Sequence, residues 1–190
     1  MNGQYSEFYK LARYALDLEE RFYKVIAKND MGVLPDIPTI ITEGQLFCDD
    51  RGEIRSFNSF NPTSCGIKRM YKVENIERGY IRAVHCHQYE SKFIIVDGCA
   101  HFIAFRCPDC VFAGEKIKNV STSHLYRFTL NSNKPSILFI PAGYGHGFKT
   151  LKENTILTIF SDKTLEESKK DDYRLSWDIF GKEVWENNYR

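Results

Sequence analysis

The 190-residue sequence predicts an all-β jelly-roll barrel carrying an N-terminal amphipathic helix and a short C-terminal helix or loop. Three observations point there. Between residues 40 and 160, runs rich in Val, Ile, Phe, Tyr and Thr are punctuated by turn residues about every 8 to 15 positions. No helical periodicity separates those runs, which excludes a βαβ sheet. The runs number roughly eight, which suits a double-sheet jelly roll that disposes of most open strand edges.

Taken in order, residues 6 to about 29 are expected to form the helix. Phe8, Leu11, Ala12, Ala15, Leu18, Phe22, Val25 and Ile26 recur at three- and four-residue steps between charges. Ser6 can cap its start, and Asn29, Asp30 and Gly32 supply stop signals. A Pro-punctuated connector, GVLPDIPTI, completes a 1–39 segment ahead of the 40–190 barrel domain. The strand-like runs are TIITEGQLF, GEIRSFNSF, IKRMYKV, GYIRAVHCH, KFIIVDGCAHFIAF, HLYRFTL, SILFIPAG and TILTIFS. The tail, TLEESKKDDYRLSWDIFGKEVW, starts polar and ends aromatic, as expected of a segment that returns to the barrel.

A formal charge of +1 argues against a general nucleic-acid binder, which needs surplus Lys and Arg against phosphates. No apolar run approaches the roughly 20 residues of a membrane-spanning helix. The start, MNGQYSEFYKLARY, lacks the apolar core of a secretory signal, so a cytoplasmic location is expected. The six cysteines then read as reduced thiols, and C107-P-D-C110 as a Pro-Asp turn after a strand.

The chemistry concentrates in the histidines. On a strand His85 and His87 point the same way and Cys86 the other. His146 follows a Pro-Ala-Gly turn expected to aim its ring into the same cavity, and Glu90 lies three residues beyond His87. His85, His87, Glu90 and His146 make one conceivable ligand set for Zn or another divalent metal. Acid–base use of the same residues, with no metal, is the other reading.

The His-x-His strand and the Pro-x-Gly-x-x-His turn resemble the cupin superfamily. Four segments more closely resemble the dTDP-4-dehydrorhamnose 3,5-epimerase family, in order: DDRGEIRSF from Asp49, GYIRAVHCHQ, IPAGYGHGFKTL and LSWDIFGKEVW. The resemblance implies a metal-free epimerase or isomerase. Its substrate would be a nucleotide-diphosphate 4-keto-6-deoxy sugar, with deprotonation beside the keto group giving an enolate. It assigns His85 as base, Asp178 as the carboxylate orienting it, Lys92 as the cation for the enolate oxygen and His146 as a pocket histidine. Arg51 would contact the diphosphate across a homodimer, and Arg82 would be a further active-site arginine. His87 stands where the family has a non-basic residue and is expected, like Tyr144, to contact the substrate, while the family's acid tyrosine falls on Ile159, with Tyr144 a substitute acid. An H-x-H strand also resembles the sugar-nucleotide 3,4-ketoisomerases. The competing readings are a metal-dependent cupin enzyme and a non-catalytic sugar-binding module.

Overall fold

The computed structural model describes residues 34–117 and 125–186. The amphipathic helix expected over 6–29 lies outside the described residues.

Among the described residues, twelve strands make up the fold: β1 (Thr39–Glu43), β2 (Gln45–Asp49), β3 (Gly52–Ser56), β4 (Arg69–Asn75), β5 (Ile81–His87), β6 (Lys92–Asp97), β7 (Cys99–Arg106), β8 (Tyr126–Asn131), β9 (Ser136–Ile140), β10 (Tyr144–Thr150), β11 (Thr155–Ser161) and β12 (Tyr173–Arg174). Two short helices, α1 (Asp109–Phe112) and α2 (Leu165–Lys169), and a 3-10 turn at Lys182–Trp185 complete it. One sheet runs β1-β9-β6-β11-β4 and the other β12-β5-β10-β7-β8, while β2 and β3 form a separate hairpin. The strand pairings are antiparallel throughout.

Period-two alternation sorts the side chains into layers. Ile94, Val96, Phe102, Ala104, Leu138, Ile140, Phe148, Leu157 and Ile159 face inward and form the core between the sheets. Both outer faces are also covered. Phe93, Ile137 and Phe139 lie beneath Phe57, Phe60 and Ile67 of the β3–β4 connection. Val84, Cys86, Ile103 and Phe105 lie beneath Ile179, Phe180, Val184 and Trp185 of the tail. The tail therefore returns to the barrel as its aromatic ending predicts.

Two details differ from the sequence reading. The segment expected as a turn around His146 is strand β10, paired on both sides, to β5 and to β7. Its glycines answer a packing requirement. A Cβ on Gly145 would lie 2.5 Å from the Phe105 ring and 2.7 Å from Cys86 Sγ, and one on Gly147 would lie 2.4 Å from Ala83 Cβ. Atoms of the flanking strands β5 and β7 fill the space beside β10 and require glycine at those positions, so glycine here does not signal a turn. The second detail is the CPDC stretch, which opens the one-turn helix α1 instead of forming a simple turn. Cys107 is buried in the outer layer with Cys86, and all described cysteines are free thiols.

Candidate active site

The inner face of β5 and β10 carries the histidines. His146 pairs directly with His85, and Tyr144 with His87, in the β5–β10 register. Directly opposed residues share a face, so the three imidazoles gather at one end of the barrel. Their ring centroids lie 6.3 Å apart for His85–His146 and 5.9 Å for His87–His146.

Arg82 is turned to the same face of β5 by an irregularity. Three residues before His85, it belongs by simple alternation on the opposite face. Between His146 and Phe148 the register shifts: His146 opposes His85, yet Phe148 opposes Arg82. The extra β5 residue is a bulge, which re-aims the side chains beyond it. Arg82 thereby faces inward and its Nε donates to Asn75 Oδ1 on β4 at 2.8 Å, spanning from one sheet to the other.

His85 is the accessible member of the group, its side chain about one-third exposed. Its Nδ1 lies 3.2 Å from Asp172 Oδ1, and Arg174 donates from Nε and Nη2 to the other carboxylate oxygen at 3.0 and 2.9 Å. Burial lowers the His85 pKa from its ordinary 6.5, against the opposing pull of Asp172, so the ring is a neutral base at pH 7. The carboxylate on His85 is therefore that of Asp172. Asp178, expected in that place, is exposed and accepts a hydrogen bond from the Ser176 hydroxyl two residues away. The physical reason is β12. Tyr173 and Arg174 pair with Cys86 and His85, which sets residue 172 beside the imidazole before the chain turns outward over the sheet.

His87 is in a different situation. It is buried, with Nδ1 2.6 Å from the Asp171 carbonyl oxygen and 3.1 Å from Glu90 Oε2, and Nε2 2.8 Å from Lys92 Nζ. Its pKa is lowered to about 4, first by burial and then by the Lys92 charge. Glu90 is itself buried. It accepts from Arg69 Nη2 at 2.9 Å and from the hydroxyls of Ser161 and Ser168 at 2.7 Å each. Lys92, at the start of β6, is buried with its Nζ 3.9 Å from Glu90, and burial lowers its pKa. His146 is buried, its Nδ1 has no hydrogen-bond partner, and burial holds its pKa well below 6.5.

This arrangement decides against the alternative metal set. His87 has both ring nitrogens engaged, with an ammonium at Nε2 where a metal ion would have to sit. The Glu90 oxygens are filled by Arg69 and two hydroxyls. Among the described residues, no group of three or more His, Cys, Asp or Glu is arranged to hold a metal ion.

The structure places the remaining residues as follows. Tyr144 is buried in the core, its ring 6.2 Å from that of Tyr126 and 5.4 Å from the Arg106 guanidinium. Arg51 is strongly exposed at the tip of the β2–β3 hairpin, where Nη2 pairs with Asp49 Oδ2 at 2.5 Å. Ile159 is buried in the core. Opposite it in the β4–β11 register stands Tyr71, on the same inward face. The Arg69 guanidinium lies 4.8 Å above the Tyr71 ring, and burial together with the Glu90 charge pushes the phenol pKa up to about 12.

Sequence reasoning missed Asp171, Asp172, Tyr71 and Arg69. The two aspartates sit in the charge run KKDDYR, which reads as a solvated tail, and the other two in IKRMYKV, which reads as an ordinary strand. The alternation of Arg69 and Tyr71 with the exposed Met70 and Lys72 was the available signal for an inward face.

Two facing five-stranded antiparallel sheets with polar residues gathered at one barrel end make this a jelly-roll barrel, a fold it shares with solved sugar-nucleotide epimerases and ketoisomerases. Solved structures carry the likeness, and they show the fold. A dTDP-4-dehydrorhamnose 3,5-epimerase from Bacillus anthracis, with TDP and PPi bound, matches at TM-score 0.55 and 22% identity, over 74% of this chain and 85% of that one. A 3'-monoepimerase variant from Streptomyces bikiniensis, in complex with dTDP, matches at 0.56 and 13%, over 77% and 73%. A TDP-quinovose 3,4-ketoisomerase from Campylobacter jejuni matches at 0.53 and 15%, over 74% and 95%. No family model and no curated protein matches the chain. No helix among the described residues is long and apolar enough to cross a membrane.

Proposed function

We propose that this protein is a sugar-nucleotide epimerase or isomerase. It acts beside the keto group of a nucleotide-diphosphate 4-keto-6-deoxy sugar, in the cytoplasm, in deoxysugar or surface-polysaccharide biosynthesis. The observation that carries this reading is the His85–Asp172 contact at an accessible barrel end. The likeness in fold to epimerases and ketoisomerases, one of the former with TDP and PPi bound, supports the substrate class.

The chemistry follows from the geometry. A carbonyl at C4 acidifies the protons on C3 and C5. Neutral His85 removes one through Nε2, because its Nδ1 is turned to Asp172. The C–H electron pair forms the C=C bond while the carbonyl pair moves onto oxygen as an enolate. Asp172 stabilises the resulting imidazolium and fixes its orientation. The enolate oxygen needs a positive partner, typically the largest contribution in such reactions, and Lys92 is the cation at hand. No step in this sequence requires a metal.

Reprotonation from the other side requires an acid facing His85 across the barrel. Ile159 cannot supply a proton, whereas Tyr71 stands beside it on the opposite sheet from His85. A phenol with a pKa near 12 remains protonated at neutral pH, as a proton donor must. Arg82 and His146 would contact the sugar, and Arg51 the diphosphate of a partner subunit. The exposed Phe47 and Ile54, directly paired on one face of the hairpin that bears Arg51, support a homodimer.

The test is solvent-hydrogen exchange. Incubation in D₂O with TDP-4-keto-6-deoxyglucose should introduce deuterium at C3 or C5, read by NMR. Binding of TDP without any exchange in that substrate would leave a sugar-binding module in place of an enzyme.

A further inference from the structure

The motif H85-x-H87 places two histidines on one strand face, and strand alternation alone treats them as equals. Their surroundings do not. His85 has one nitrogen on a carboxylate and an accessible edge, whereas His87 is enclosed with both nitrogens engaged.

The partners of His87 fix its state. The Asp171 carbonyl only accepts hydrogen bonds, so the ring nitrogen 2.6 Å from it must carry the proton. In the neutral ring the other nitrogen is then an acceptor, and Lys92 Nζ at 2.8 Å donates to it. Asp171 is in turn immobile. Its carboxylate accepts the backbone N–H groups of Gln88, Tyr89 and Glu90 at 2.8, 2.8 and 3.0 Å, which clamps the loop that follows β5. The next residue in the chain is Asp172, the partner of His85. Glu90 closes the arrangement from below, holding negative charge under Lys92 at 3.9 Å.

Resting on the proposed reaction, we infer that His87 is a positioning residue and not a second base. The relay Asp171 carbonyl to His87 to Lys92 presents the Lys92 ammonium to the keto oxygen, and the Asp171 clamp on residues 88–90 holds Asp172 against His85. An ammonium has three donors, and one is committed to His87, which leaves donors for the enolate. A supporting shell of this kind keeps a charged group within the few tenths of an ångström that electrostatic catalysis demands. It also separates this chain from a mechanism that moves a proton through both histidines of the motif, because His87 has no free nitrogen with which to take one.

The full-length protein, labelled with ¹⁵N-histidine, tests the relay without any substrate. The His87 signal, identified by its loss in His87→Gln, should show a neutral ring protonated at Nδ1 with Nε2 bare between pH 6 and 8. An Nε2–H tautomer, or an imidazolium at pH 7, overturns the inference. The exchange assay supplies the second arm. His87→Gln keeps an acceptor for Lys92 but cannot carry a proton, and should retain exchange within about tenfold of the natural protein. His87→Phe should lose about a hundredfold or more, matching Lys92→Met, and the double variant should be no slower than Lys92→Met alone. Loss in His87→Gln equal to that in His85→Asn, with TDP affinity retained, shows His87 to be a base and overturns the proposal. If the natural protein itself exchanges no deuterium, the proposed function fails while the tautomer still decides the relay.

Discussion

Replacing Asp172 with Asn removes a charge and keeps the shape. In the proposed reaction His85 would pass from neutral to cationic, so the quantity lost is the attraction between imidazolium and carboxylate at 3.2 Å. At the dielectric of water that attraction is about 1 kcal/mol, and at an effective dielectric of 20 about 5 kcal/mol. The His85 and Asp172 side chains are 32% and 26% exposed, and Arg174 shares the carboxylate, which places the effective value in the lower half of that range. About 2 kcal/mol corresponds to roughly a thirtyfold fall in exchange rate. The sign for pH follows from the same contact. Asp172 raises the His85 pKa against burial, so its removal lowers that pKa further and moves the acidic limb of the rate profile to lower pH. The assay is deuterium wash-in against pH for the natural protein, Asp172→Asn and Asp178→Asn. Asp178, turned outward to Ser176, should tolerate its change within about twofold. A full rate in Asp172→Asn together with loss in Asp178→Asn would refute the assignment.

Other expectations concern the far wall of the barrel, the nucleotide and the buried charges. Tyr71→Phe should permit washout by His85 on its own face yet slow the appearance of inverted sugar by about a hundredfold, read by NMR of the product. Inversion at the natural rate would remove Tyr71 as the acid. Arg51→Ala should weaken TDP binding about tenfold or more, the cost of one charge-assisted contact, with turnover at saturation little changed. An unchanged dissociation constant in titration calorimetry would take Arg51 out of the site. Stability should fall steadily as pH drops from about 6.5 toward 4. His87 titrates at about 4 in the folded protein and His146 well below 6.5, so the unfolded chain takes up protons that the folded one refuses. Glu90 acts in the same direction: burial pushes its pKa up, but Lys92, Ser161, His87 and Ser168 together hold it below the ordinary carboxylate value. Urea midpoints flat across that interval would contradict the buried neutral and paired states.

The barrel was legible because its evidence is local. Alternating runs such as TILTIFS and KFIIVDG name both strands and faces, and β11 and β6 begin and end close to where those runs do. The site was half legible. His85, His146 and Lys92 come from strand positions and converge as their faces dictate. What stayed hidden depends on contacts that no local pattern encodes. Arg82 needed a bulge to reach the inner face, and Gly145 and Gly147 disguised β10 as a turn because their purpose lies in packing against the flanking strands β5 and β7. Asp172 reached His85 only through the two-residue pairing of β12, too short to leave a periodicity. The sequence expectation put a tail carboxylate on His85 at Asp178, whereas the carboxylate that lies beside the imidazole is that of Asp172, six residues earlier.

The account stands or falls most directly on His85. The 190-residue protein and its His85→Asn variant should bind TDP with dissociation constants within about threefold of each other, since the proposal has the imidazole serve the sugar carbon and not the diphosphate. In D₂O with TDP-4-keto-6-deoxyglucose, the natural protein should label the sugar ring. The variant should do so at least about a thousandfold more slowly, the weight of a general base with its positioning. Labelling by His85→Asn at a rate near that of the natural protein would contradict the central claim.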